Sequence, residues 1–333
     1  MRELITWCLL ILSFSLNAQV FDLNILRPNV RITGDYQPAP FTDDGINYTS
    51  WSAGVNALIP LKTKIDLDFN LNLRERIDRK RQGKKQKPLV EAKAHQIFFQ
   101  FGGRARFYNF DQLNEQRSVQ GGTFALFGIH AKFNKGTPRF FFYGAQIGID
   151  EDFKNYSAIQ PNGSLIMGGG HLFNFKTLLY YGGYVGYIGG DFVASPFIGL
   201  NTKIGEKWAF GLTLPVQTKF TFTANKKFKQ DFVASLYGNQ HGHYNSGLIL
   251  EEGDRLSFRT TGLRVSTQSR IMAAKNFRIS IQAGWQFLNT MRLMKGHPSF
   301  DSMKRDGSLF VRLSLALSFG NSLLDSSNIG FEI

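Results

Sequence analysis

Residues 308–319 read SLFVRLSLALSF, and large apolar side chains occupy every second position of this segment. Leu309, Leu313 and Leu317 belong to the apolar series, while the residues between are mostly small or polar and include Arg312. A period of two puts alternate side chains on opposite faces of a β-strand, whereas a helix would spread them around its axis. The segment therefore predicts a strand with one apolar and one polar face.

The same alternation recurs along most of the chain. Four further segments show it over their full length: 51–61, 64–74, 96–107 and 277–287. Weaker versions occupy 29–37, 119–133, 139–149, 164–173, 177–188, 192–204, 208–222, 228–237 and 255–273. No segment longer than a few turns has the period of a helix. We expect an all-β chain of about 12–14 strands, the lower number applying if one weak pair merges.

Two architectures accept such strands. In a soluble sandwich the apolar faces would meet another sheet, and in a transmembrane barrel they would meet lipid. The strand lengths suit a tilted membrane crossing, the polar faces mix charges with glycine, and tight turns alternate with long connections. We therefore predict an antiparallel transmembrane β-barrel. The pattern predicts tight turns at 62–63, 189–191, 224–227 and 274–276, with the long connections 75–95, 238–254 and 289–307 together on the outer side.

The N-terminus indicates where this barrel is located. Arg2 precedes an apolar stretch over residues 4–16, and Ala18 provides a small residue before a cut. This layout predicts a signal peptide at 1–18, a barrel at 19–319 and a C-terminal periplasmic tail or assembly signal at 320–333. Cys8 is the only cysteine, so the mature chain would contain no disulfide. The predicted location is the outer membrane of a Gram-negative bacterium.

Composition supports an ordered chain. The 333 residues are 43% hydrophobic and 14% aromatic, and Phe alone contributes 32 of them. This apolar fraction excludes general disorder. The mean hydropathy of -0.18 excludes a bundle of membrane helices.

Several segments also carry a resemblance to a known family. Residues 16–19 (LNAQ), 98–107 (FFQFGGRARF), 196–200 (PFIGL) and 207–215 (KWAFGLTLP) resemble a family of bacterial outer-membrane β-barrel proteins for which no activity is known. The resemblance covers most of the mature chain and implies a fold and a compartment. It implies no activity.

The chain is strongly basic, with a formal net charge of +14. The densest block lies within residues 74–87 and predicts a basic outer loop. Its residues are Arg76, Arg79, Lys80, Arg81, Lys84, Lys85 and Lys87. Behind a signal peptide, nucleic acid is a poor partner for this block, whereas the phosphates of lipopolysaccharide would attract it. The alternative is a solvated loop without a specific partner, and the expected lipid partner of the barrel as a whole is the outer membrane.

The polar faces of the predicted strands carry more basic than acidic residues. The basic ones are Arg104, Arg106, Lys132, Lys203, Arg264, Arg278 and Arg312, and the acidic ones are Asp66, Asp68 and Asp150. Charges along a pore wall set its ion selectivity, so this balance predicts a lumen that favours anions. The alternative is that these side chains pair with one another and fill a closed barrel.

No enzyme motif is convincing. His130 is placed on the inner face by its strand pattern, but no serine partner is marked nearby. His241 and His243 share one face of an extended segment, yet two histidines fall short of a zinc site. We therefore predict no catalytic residue, metal or cofactor. The predicted function is a passive pore or small-solute transport protein. The alternatives are a non-transporting structural or partner-binding barrel and, third, a lipid hydrolase, with the oligomeric state left open.

Overall fold

The computed structural model describes twelve stretches of the chain. They are residues 28–39, 48–69, 78–83, 90–110, 115–133, 139–152, 161–173, 176–188, 191–244, 255–294, 299–305 and 307–319. The predicted signal peptide (1–18) and tail (320–333) lie outside these residues. Within the described stretches, no helix is both long enough and apolar enough to cross a membrane.

The described chain is built from β-strands that follow the alternating segments. Their bounds are β1 Asn29–Gln37, β2 Tyr48–Phe69, β3 Val90–Phe110, β4 Glu115–Phe133, β5 Arg139–Glu151, β6 Asn162–Phe173, β7 Thr177–Ile188, β8 Asp191–Ile204, β9 Trp208–Leu214, β10 Gln217–Thr223, β11 Phe228–Tyr244, β12 Arg255–Ala274, β13 Phe277–Met294, β14 Ser299–Arg305 and β15 Ser308–Ser318. A helical turn covers residues 78–81, between β2 and β3.

The strands form one closed antiparallel barrel. Consecutive strands pair from β1 through β13, and β15 pairs with both β13 and β1, which closes the sheet. β14 and β15 pair with successive parts of β13 and together serve as one staggered strand, so the barrel has 14 strands. The predicted fold class and the range of 12–14 strands are therefore confirmed.

Alternation sets the two faces of the wall. Large apolar side chains point outward and stay exposed, including Ile147 at 63% and Leu313 at 46%. Many inward positions between them are covered, and the side chain of Gln286 has no exposed surface. Because β1 pairs with β15, the sheet has no open end strand, which lets an apolar outer face meet lipid.

Two predicted strand boundaries are wrong. One error adds a strand and the other removes one, so the number of strands is unchanged. Segments 51–61 and 64–74 were predicted as two strands, but β2 runs through the expected turn at 62–63, with a bulge between Pro60 and Lys62. Segment 208–222 was predicted as one strand, but it is β9 and β10 with a turn at Pro215 and Val216. A bulge lengthens a strand by one residue without ending it, whereas proline cannot donate a hydrogen bond in a sheet interior.

The joined β2 strand changes which end of the barrel carries the basic loop. We call the end where β1 begins and β15 ends the chain-end rim, and the opposite end the far rim. Phe69 pairs with Val90, so the connection 70–89 lies at the chain-end rim. The connections 245–254 and 295–298 lie at the far rim. The prediction that all three long connections share one side is therefore wrong.

The far rim is partly covered by one hairpin. β11 and β12 stay paired as far as Tyr244 and Arg255. Gly242 also pairs in parallel with Glu151 of β5, a strand on another part of the wall. The hairpin therefore leans across the mouth of the barrel at this rim.

Candidate functional site on the inner wall

Most of the predicted lumen charges lie on the inward face. The strand register places seven of the predicted residues there: Arg104, Arg106, Asp150, Lys203, Arg264, Arg278 and Arg312. Each alternates with outward residues, as Arg312 does with Val311 and Leu313, which are 45% and 46% exposed. The pleat thus points these charges away from the apolar outer surface.

Two of the predicted lumen residues face outward instead. The bulge at Leu61 shifts the alternation of β2 by one residue, so that Asp66 pairs with Lys93 on the outer face. Lys132 lies outward because it follows the exposed Phe124 and Leu126 at even spacing along β4. By the same register His130 is outward and not inward. The side chain of Asp68 lies outside the described residues.

Other inward charges were missed by the sequence prediction. Register and alternation place Arg31, Asp35, Lys219, Lys229, Asp231 and Arg270 on the inner face. For β1 the signal was available, because Val30, Ile32 and Tyr36 alternate with Arg31 and Asp35. Basic residues still outnumber acidic ones on the described inner face.

The central feature of the inner wall is a cluster of three arginines around one aspartate. Asp35 of β1 lies directly opposite Arg312 of β15, and Arg312 donates to it through Nε and Nη2. Arg106 and Arg264 are close enough to Asp35 to act on it electrostatically. We call Arg106, Arg264, Arg312 and Asp35 the arginine cluster; it holds more positive than negative charge.

Arg264 is held by aromatic rings. Its guanidinium carbon lies 3.9 Å from the centre of the Phe310 ring and 4.6 Å from that of Tyr237. Its Nε is buried and has no hydrogen-bond partner in the structure. Cation–π contact stabilises the charge and fixes the plane of the guanidinium, but it uses none of the N–H groups. These ring contacts therefore leave the N–H groups of Arg264 unused.

A small cavity opens beside the arginine cluster. Tyr48, Ser50, Ser52 and Tyr108 line it together with the cluster. Arg106 Nη1 donates to the Tyr108 hydroxyl at 3.2 Å, which fixes both side chains. Hydroxyl and guanidinium donors around one opening form an arrangement that suits a small oxyanion.

Elsewhere on the wall, two arginines are paired with carboxylates. Arg104 Nε donates to Asp150 at 3.0 Å, and Arg270 Nη2 donates to Asp231 at 2.7 Å. Asp231 is only 1% exposed and also accepts from the Thr221 hydroxyl at 2.6 Å. These two pairs carry little net charge, whereas the arginine cluster holds three guanidinium groups against one carboxylate.

The opposite side of the interior is aromatic. Phe142 stacks on Phe197 with ring centres 6.0 Å apart. Tyr180 and Tyr184 of β7 are also inward and buried. These rings narrow the interior.

The remaining predicted site residues are mostly not described. Arg79, Lys80 and Arg81 lie on the helical turn at the chain-end rim, while Arg76, Lys84, Lys85 and Lys87 lie outside the described residues. The side chains of His241 and His243 are not described either. Among described side chains, no group of three or more His, Cys, Asp or Glu could hold a metal.

The closed sheet, its apolar outer face and its charged inner face define an antiparallel transmembrane β-barrel. No protein-family model matches the chain, and no curated protein matches it by sequence.

Solved structures with similar folds include the transport unit of the autotransporter AIDA-I from Escherichia coli, at 9% identity and a TM-score of 0.36, covering 96% of this chain and 97% of that one. They also include the translocator domain of the autotransporter NalP from Neisseria meningitidis, at 9% identity and 0.31, with 96% of each chain covered. The P. putida toluene transporter TodX matches at 8% identity and 0.29, covering 89% of this chain and 91% of that one.

Proposed function

We propose that this barrel is a passive pore of the bacterial outer membrane that passes small solutes and prefers anions. The observation that carries the proposal is the surplus of guanidinium charge in the arginine cluster. A low-dielectric wall strengthens the field of such charges compared with bulk water, so anions are concentrated beside them and cations are depleted.

We propose an orientation with the chain-end rim toward the periplasm. Outer-membrane barrels carry short turns on that side and longer loops outside. At the chain-end rim the connections 205–207, 224–227 and 275–276 are short, and the far rim carries the long β11–β12 hairpin. In this orientation the basic connection 70–89 faces the periplasm, away from the leaflet that carries lipopolysaccharide. Cleavage after Ala18 would precede assembly, and N-terminal sequencing of the mature protein tests it.

Single-channel recording in planar bilayers tests the pore. Under a salt gradient, the wild type should show stepwise conductance and a reversal potential of the sign that anion preference gives. Removing two charges with Arg106→Gln plus Arg264→Gln should move that potential toward zero. The matched control, Lys64→Gln plus Lys132→Gln, removes the same charge from the outer face and should leave it unchanged. Cation preference in the wild type would overturn the proposal.

The second candidate is a non-transporting barrel that is structural or binds a partner. The aromatic packing around Phe142 and the hairpin that reaches Glu151 favour it, because both narrow the interior. Purified, folded protein that gives no conductance would support this candidate. The chain is also proposed to have no enzymatic activity, and release of fatty acids from labelled vesicles would contradict that.

A further inference from the structure

The cavity beside the arginine cluster combines positive charge, one carboxylate and enough room for a small anion. Its volume is about 70 Å³. A single water needs about 10–15 Å³ of such space, so the cavity has room for about five atoms of that size. Arg106, Arg264 and Arg312 line it together with Asp35. Three guanidinium groups and one carboxylate give this lining a formal charge of +2, which a small dianion would balance.

Arg264 brings donors that the described part of the chain does not use. Its guanidinium donates no hydrogen bond to a described residue, and its Nε is buried without a partner. The rings of Phe310 and Tyr237 hold the group in place, and their cation–π contacts occupy none of its N–H groups. Buried polar groups in folded proteins are nearly always satisfied, by protein, water or an ion. An oxyanion in the cavity would supply acceptors for this arginine.

Asp35 determines which oxyanion the cavity suits. Its Oδ1 accepts from Arg312 Nε, and its Oδ2 accepts from Arg312 Nη2 and from Ser52 Oγ, both at 3.3 Å. An ionised carboxylate has about four acceptor positions, so these three bonds leave about one position on Oδ1 for a further donor. A carboxylate repels an anion unless that anion donates a hydrogen bond to it. Hydrogen phosphate has a P–O–H group that can do so, whereas sulfate at neutral pH has none.

We propose that the cavity binds hydrogen phosphate, whose bare oxygens accept from Arg264 and whose hydroxyl donates to Asp35. Arg106 and Arg312 add positive charge around the bound ion. The inference rests on the proposed function, because it names phosphate as the anion that the pore passes. It adds a discrimination between phosphate and sulfate, which a surplus of positive charge alone does not produce.

Titration of the full, folded barrel in a zwitterionic detergent tests the site without requiring conduction. Isothermal titration calorimetry at neutral pH compares potassium phosphate with potassium sulfate at equal ionic strength. The wild type should bind phosphate saturably. Sulfate should bind at least about tenfold more weakly, because its oxygen would face the carboxylate of Asp35 without a hydrogen between them.

Arg264→Lys tests the donor side of the site. Lys keeps the positive charge but lacks the planar guanidinium and its fork of N–H donors. Phosphate affinity should fall by roughly tenfold or more, the cost of losing a hydrogen bond to a charged group. Lys203→Gln is the control: Lys203 lies on the inner face of β8, outside the cavity lining, so its loss should leave phosphate affinity as in the wild type.

Asp35→Asn tests the acceptor side and keeps the test valid if Arg264→Lys fails to fold. The Asn amide can donate to either anion, so sulfate should now bind about as tightly as phosphate. A variant that still rejects sulfate would contradict the role of Asp35.

The outcomes separate this site from the proposed pore. Equal binding of phosphate and sulfate to the wild type would overturn the site, as would the same loss of affinity in Lys203→Gln as in Arg264→Lys. A barrel that conducts anions but binds no phosphate would overturn the site and leave the pore standing. A barrel that binds phosphate with the expected discrimination but does not conduct would support the site and overturn the pore.

Discussion

Replacing Asp35 by Asn should make the barrel more selective for anions. Asp35 is the one carboxylate of the arginine cluster and lies opposite Arg312 where the first and last strands meet. Asn has nearly the same shape and can still accept a hydrogen bond from Arg312, so the wall should keep its geometry. Because the ion pair is partly exposed, its loss should cost at most about 1 kcal/mol of stability.

The size of the effect follows from Coulomb's law. A unit charge about 5 Å from an ion in water-like surroundings contributes about 0.8 kcal/mol, or about a fourfold change in occupancy. Removing the negative charge raises anion occupancy and lowers cation occupancy together. Salt screens part of this at about 0.1 M, where the Debye length is about 10 Å. The anion-to-cation permeability ratio should therefore rise by roughly threefold to tenfold.

Reversal potentials measured under a tenfold salt gradient give this ratio directly. Asp66→Asn is the matched control, because Asp66 lies on the outer face and pairs with Lys64 at 3.0 Å. It makes the same chemical change outside the lumen and should leave the ratio as in the wild type. A ratio that does not change in Asp35→Asn, or that changes as much in Asp66→Asn, would refute the role of the arginine cluster.

Two further substitutions test the wall itself. Leu313→Arg, on the outer face in the middle of β15, should lower stability by about 2–4 kcal/mol, whereas Ser314→Arg points inward and should be mild. The fraction that migrates as folded barrel on unheated gels reports this, and equal loss in both would mean that the faces are misassigned. Gly199→Ala should cost about 1–3 kcal/mol, because the new Cβ would lie 2.0 Å from the ring of Tyr180, which is only 3% exposed. At Gly183 the nearest atom is 3.9 Å away, so Gly183→Ala should leave the urea midpoint near that of the wild type and serves as control.

The sequence predicts the two faces well wherever lipid constrains them. An outward charge in the bilayer is costly, so the alternation of β13 and β15 is strict and was assigned correctly. Beyond the membrane that constraint ends. The residues of β2 after Leu61 keep the same apolar spacing as those before it, although the bulge has exchanged their faces. Spacing alone cannot reveal a bulge, and the inward assignment of Asp66 failed for this reason.

The sequence contains a signal that segment 208–222 forms two strands, but the regular alternation of its apolar residues concealed that signal. Pro215 interrupts the segment, but a turn of two residues keeps the even spacing of Phe210 and Phe220. The arginine cluster itself could be predicted only in part. Its inward direction follows from the pleat, but Arg312 meets Asp35 only because the first and last strands pair, and these two residues are 277 positions apart in the sequence.

That closure bears on how the barrel avoids assembly errors. Until β1 meets β15, the sheet has two open edges that can pair with any exposed strand. β1 carries Arg31 and Asp35 toward the inside, and charges of this kind make an edge a poor template for a foreign apolar strand. The correct partner strand, β15, compensates these groups. Arg312 lies opposite Asp35, and the Ser308 hydroxyl accepts a hydrogen bond from the Gln37 side chain at 2.8 Å. The same groups that charge the inner wall thus favour joining of the chain to itself over joining to a neighbour.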